Sequence, residues 1–125
     1  SLEVHNSIAR VALLKDVPIE PLGPPLVEVI AMAKRPLKAG EAIDGIGGFM
    51  TYGVCETSAV QQRDRLLPMG LAEGCRLKHD IVKDGALTWD DIIPPTNNLP
   101  HQLRARQDAT FASAPALTRT AESTF

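Results

Sequence analysis

Arg35, Glu73, Arg76 and Lys78 lie in or beside segments broken by glycine, where polar groups can converge on an anionic ligand or a partner. Surface solvation accounts for them equally well. The loop Gly45-Ile46-Gly47-Gly48 invites a nucleotide, because glycine lets a backbone approach phosphate closely. The full G-x-G-x-x-G pattern, however, needs glycine where Met50 stands, and no long helix follows to aim its N-terminus at a phosphate. The loop therefore reads as a tight turn between strands, or as a point of close approach by a neighbouring domain. No cofactor-binding residue is assigned.

Cys75 is followed by Arg76 and Lys78, and adjacent cations favour a thiolate. It has no base partner in the sequence, so a buried structural cysteine is the better reading. His5, His79 and His101 are far apart and form no helical or Cys/His metal spacing, so no metal ligand is assigned. His79-Asp80 can form a local polar pair or stay solvated. Asp90-Asp91 reads with Thr88 as a T-x-x-D cap on a helical turn, not as paired catalytic carboxylates. No Ser-His-Asp arrangement can be defended from spacing, and no catalytic residue is assigned.

Composition agrees with that absence of chemistry. The 125 residues carry 13 Lys+Arg against 15 Asp+Glu, a net charge of −2, which lacks the basic footprint of a nucleic-acid binder. No apolar run approaches the roughly 20 residues of a membrane span. Two cysteines, Cys55 and Cys75, both in apolar surroundings, suggest no disulfide framework and a reducing, cytoplasmic setting. The start at Ser1-Leu2-Glu3-Val4-His5 has no signal-peptide pattern and reads as a piece of something longer or a processed product.

The elements that must position these residues follow from periodicity. Residues Asn6 to Lys15 read as a helix with Ile8, Val11 and Ala12 on one face behind an Asn6 or Ser7 cap. Pro18, Pro21, Pro24 and Pro25 form a stiff connector, which sets a first boundary near residue 25. Leu26 to Ala33, with only Glu28 polar, reads as a strand buried on most of its surface, and Phe49 to Val54 as another. Ser58-Ala59-Val60-Gln61 matches a capping box and predicts a short surface helix over Ala59 to Arg65. Further short strands split by glycine and proline point to an all-β core. From Leu99 a helix runs to about Asp108, its Arg104 and Arg106 in water. After Ala109 the Ala, Thr, Ser and Pro composition predicts a loose tail.

A repeat lies inside this pattern. Lys38-Ala39-Gly40 and Lys83-Asp84-Gly85 stand 45 residues apart, whereas Ala42-Ile43-Asp44 matches Ala86-Leu87-Thr88 after a one-residue insertion. Each copy is a Lys-x-Gly turn feeding a strand, and two copies predict a pseudo-twofold β unit. With positive φ at each glycine, Gly40→Val and Gly85→Val should both destabilise it.

The segments Ala33 to Glu41, Asp44 to Gly48, Leu67 to Lys78 and Leu87 to Ile92 together resemble the SAF domain, in the version found at the C-terminus of homoserine-dehydrogenase-like NAD(P)-dependent oxidoreductases. The resemblance spans about Leu26 to Ile93. It implies a mainly β, compact β-clip fold with short helices and flanking N- and C-terminal helical segments. It divides the chain into 1–25, the end of a preceding domain; 26–93, the β-clip; and 94–125, a helix and flexible tail. It further implies an accessory domain, not catalytic alone, that serves substrate-site closure or subunit contacts in a homo-oligomer. The NAD(P) and the catalytic residues would belong to an upstream Rossmann domain of the same polypeptide. SAF domains in sialic acid synthases reach a neighbouring active site, so the candidate substrate or interface residues are Arg35, Gly45, Gly47, Gly48, Glu73, Arg76 and Lys78. The alternative is a free-standing module that binds a sugar acid.

Overall fold

A strand forms where β-branched residues meet a partner ladder, and here that ladder is a long-range hairpin. In the computed structural model, which describes residues 3–17, 19 and 23–112, β1 (Val27–Ala33) pairs antiparallel with β2 (Thr51–Thr57), Ile30 opposite Val54. A second, two-residue pair joins β3 (Arg76–Leu77) to β4 (Ile92–Ile93). Single bridges tie the rest: Ile30 to Pro68, Met32 to Ala86, Leu37 to Ile81, Ala42 to Arg76 and Leu66 to Thr88. Among the described residues the α-helices are α1 (Val4–Leu14), α2 (Ser58–Arg63) and α3 (Leu99–Ala112). The expected mainly β character is therefore only partly visible. Glycine and proline cut the chain too often for long ladders, and no barrel closes among the described residues. The arrangement is compatible with a small SAF-like fold.

The chain divides into two units, one carrying α1 and the other spanning Pro25–Pro115. Helix α1 starts two residues before the expected Asn6, because the amides of Asn6 and Ser7 reach back to the Glu3 carbonyl at 3.0 and 3.4 Å. Neither residue is the cap. Lys15 closes the helix in the left-handed region at φ 51°, and Arg10 pairs with Asp16 just beyond it. In the proline connector, Pro18 and Pro21 lie outside the described residues, as does the tail beyond Ala112; residues 110–112, expected in that tail, extend α3.

Within the larger unit the repeat is real, but its offset is 44 residues throughout, not 45 at the turn. Gly40 N donates to Leu77 O and Asp84 N to Ala33 O, both at 2.8 Å. Leu77 N reaches Glu41 O as Ala33 N reaches Gly85 O, and Ile43 N reaches Cys75 O as Leu87 N reaches Ala31 O. Leu37 and Ile81 exchange two bonds at 2.9 Å and so mark the pseudo-twofold. The ladder thus equates Gly40 (φ +87°) with Asp84 (φ +60°), not with Gly85. Asp enters the left-handed region more readily than most residues, which removes the need for an insertion. Gly85 has no positive φ; a Cβ there would meet Val82 O at 3.0 Å, so its glycine answers to space.

The core sits on the pseudo-twofold, and its buried residues come as mates. Ala31 matches Cys75, Ala33 matches Leu77 and Ile43 matches Leu87, with Met50, Leu67, Ala72 and Ile92 filling between them. Strand β1 is buried only from Ile30 onward. Val27 and Val29 are exposed, whereas Glu28 between them turns to the other face and meets Arg104. Strand β2 begins at Thr51 instead of Phe49, because the Asp44 carboxylate takes the Phe49 and Met50 amides, and it runs on to Thr57 because β1 offers partners back to Val27.

The cap of α2 is Thr57, whose Oγ1 accepts from Val60 N at 3.3 Å, one residue before the expected Ser58. Ser58 is instead buried with its hydroxyl unpartnered. The helix is also not wholly at the surface: Gln61 is 3% exposed, its Nε2 donating to Leu66 O at 2.7 Å and its Oε1 accepting from Arg104. The Thr88 cap is as the sequence predicts. Asp91 accepts from the Thr88 amide and hydroxyl, Thr88 Oγ1 accepts from Asp90 N, and the turn Trp89–Asp91 leads into β4.

Candidate functional site

The glycine loop is built around Asp44, which the sequence reading did not single out as a functional residue. Its carboxylate accepts from Phe49 N at 2.6 Å and Met50 N at 3.3 Å, while Gly48 N donates to Gly45 O at 2.9 Å. This is an Asp-capped turn, recognisable in retrospect from an Asp placed before Gly-x-Gly-Gly. Gly47 takes φ +85°, and a Cβ on Gly48 would overlap the Asp44 carboxylate. The amides of Phe49 and Met50, which a phosphate would need, are thus spent on a carboxylate of the same chain. Lys34 Nζ donates to Gly48 O and closes the loop from outside.

Of the candidate residues, the fold brings Gly45 and Glu73 together: a Cβ on Gly45 would lie 3.3 Å from the Glu73 carboxyl. Arg35 is drawn elsewhere. It donates to Glu41 Oε1 at 2.8 Å and to Pro36 O at 3.0 Å, and Glu41 in turn accepts from Lys38 N at 2.6 Å. The Arg35 guanidinium, then the Lys38 amide, hold the Glu41 carboxyl below its ordinary range. Arg76 Nη1 donates to Gly40 O at 2.6 Å, and Lys78 Nζ to Asp90 O at 3.1 Å. Asp80 pairs not with His79 but with Lys38 Nζ at 2.7 Å and Ala39 N at 2.9 Å. Arg35, Arg76 and Asp80 therefore staple one turn, residues 38–41, from three directions. They do not converge on a shared cleft.

A second polar cluster, missed in the sequence because its members are remote, seats α3 on the hairpin. Arg104 donates to Glu28 Oε2, to Gln61 Oε1 at 3.1 Å and to Asp108 Oδ1 at 2.9 Å. Arg104 was expected in water, yet its side chain is 13% exposed and that of Glu28 20%. One turn earlier, His101 Nε2 lies 3.0 Å from Leu71 O, and its ring meets Trp89 edge-on at 5.6 Å. His79 is exposed in its turn. Among the described residues, no group of three His, Cys, Asp or Glu could hold a metal ion. No described helix is long and apolar enough to cross a membrane.

Cys75 lies under this cluster, fully buried, its Sγ 3.2 Å from Leu71 O and 3.9 Å from His101 Nε2. Burial pushes its thiol up to about 11, so the neighbouring Arg76 and Lys78 charges do not activate it. Cys55, expected in apolar surroundings, is exposed, because the end of β2 that carries it lies outside the core. A thiol reagent at pH 8 is accordingly expected to label Cys55 promptly and Cys75 only on denaturation. Two fast thiols in the native protein would contradict this placement.

A pseudo-twofold of short antiparallel pieces, one stapled turn, one Asp-capped loop and a capped 3₁₀ turn define a small domain. Residues 28–93 match the SAF domain family, and the chain belongs to that family. No curated protein matches the chain.

Proposed function

We propose that the chain is the accessory SAF domain of a cytoplasmic NAD(P)-dependent oxidoreductase of the homoserine-dehydrogenase-like type. In this reading it contributes substrate-site closure or subunit contacts, while an upstream Rossmann domain of the same polypeptide holds the dinucleotide and the catalytic groups. The observation that carries the accessory role is where the polar side chains go. Arg35, Arg76, Lys78 and Asp44 all bind the chain's own backbone or carboxylates, which suits a rigid body presented to a neighbouring domain. The enzyme context rests on the resemblance of residues 26–93.

The test is the natural gene product that contains Ser1 to Phe125. A mass several times 13.5 kDa, with a Rossmann unit in frame upstream, is the expected result. An in-frame stop codon directly upstream would overturn it.

A free-standing sugar-acid module is the second reading. One observation favours it, a cleft of about 400 Å³ beside Gly70, Asn98 and His101. Glu73 on its rim works against an anion. Chemical-shift changes at His101 and Asn98 with millimolar sugar acid would support this module; silence would leave the accessory role.

A further inference from the structure

The phase of the β1–β2 ladder leaves one strand edge open. Ala31 sends its N–H to Leu67 O and receives Leu87 N–H, both at 2.9 Å; Ala33 is engaged likewise with Gly85 and Asp84. These residues turn their backbone groups away from β2. Lys34 N to Met50 O and Ser58 N to Leu26 O, at 2.8 and 3.0 Å, mark the even positions as the ones that join the two strands. Antiparallel alternation then points the N–H and C=O of Gly53 and Cys55 outward. Gly53, Val54 and Cys55 are exposed in a row, and no described residue pairs with that edge. Thr57 N, the next outward amide, is occupied by Glu56 Oε1 at 2.7 Å.

Edges of this kind are usually blunted by lysine, proline or a bulge. Here the free positions are glycine and cysteine. We propose that this edge is a self-association site, at which β2 of a second copy of this chain adds antiparallel and makes a four-stranded sheet across a twofold axis.

The occupant is a second copy because the edge complements itself. With Val54 opposite Val54 of the second copy, Gly53 faces Cys55 in both directions, and each of these pairs exchanges two backbone bonds. The Cys55 side chain then lies against a residue with no side chain. Glu56 faces Tyr52, so no carboxylate opposes another, and the central Val54 pair adds a β-branched contact. Antiparallel pairing of identical strands is twofold and closes at the dimer. The inference rests on the backbone phase and side-chain order of β2 and is independent of the proposed enzyme context.

The test uses the full 125-residue chain over a range of concentrations, in sedimentation and hydrogen exchange. The expected result is a reversible monomer–dimer equilibrium in which the Gly53 and Cys55 amides exchange at least ~10-fold more slowly in the dimer. The Tyr52 and Val54 amides, already bonded to β1, should be protected in both states. Val54→Lys and Val54→Asp should each remain monomeric, through like charges placed directly opposite, and their mixture should dimerise. A native chain that stays monomeric overturns the proposal. So does a dimer with unchanged exchange at Gly53 and Cys55, or one that both charged variants still form alone.

Discussion

Arg104→Ala is expected to lower the unfolding free energy by about 2–4 kcal/mol, somewhat below the cost of breaking a fully buried ion pair. The substitution removes the donor that Glu28 and Gln61 share, and both are held off water by α3. What is lost is chiefly the compensation of two partly buried acceptors, not the attraction itself. Two controls separate these terms. Replacing both partners, Arg104→Met with Glu28→Gln, should recover much of the loss, because the only charge then left unpaired is that of Asp108, which is half exposed. Asp90→Ala removes the Arg65–Asp90 pair, whose side chains are 61% and 70% exposed, and should leave stability almost unchanged. Urea unfolding of the variants decides it. A loss for Arg104→Ala as small as that for Asp90→Ala would mean that α3 is not held by this cluster.

Gly40→Val is expected to cost about 2–3 kcal/mol, since φ +87° is strained for any β-branched residue. Space is not the cause, because nothing lies within 4 Å of a Cβ built there. The pseudo-twofold supplies the comparison: its mate Asp84 holds φ +60° with a side chain present. Gly40→Asn should therefore cost about 1 kcal/mol or less, as the residue type that tolerates this region best. Equal losses for Val and Asn would show that the turn rejects any side chain and would contradict the backbone argument.

The same turn carries a pH dependence of known sign. The Glu41 carboxyl is lowered by Arg35 and by the Lys38 amide, so its contribution is fully present above the ordinary carboxyl value of 4.5. It is lost as pH falls through the lowered folded value. Glu41→Gln should flatten that acid limb by lowering stability at neutral pH to the wild-type acid level, a small change because the pair is largely exposed.

Signals that act over a few residues could be read from the sequence alone. The apolar run at Val27–Ala33, the Thr88-x-x-Asp91 cap, the twin Lys-x-Gly turns and the helix after Leu99 each depend on propensity or a hydrogen bond within one turn of chain. The seven candidate site residues were likewise chosen for type and for nearby glycine. Where their side chains go was another matter. Arg35 goes to Glu41, Arg76 to Gly40 and the loop amides to Asp44, because the folded chain brings acceptors within reach that periodicity does not reveal. Choices between equivalent neighbours also fell to packing: Thr57 caps α2 because Ser58 is carried into the interior, and Asp84 takes the left-handed turn because the ladder holds an offset of 44. Arg104 looked like a solvated helix charge, and only contact with Glu28, 76 residues away in the chain, makes it part of the interior. Local hydrogen bonding is written in consecutive residues; burial and pairing are properties of the whole ladder, and tertiary structure alone decided them.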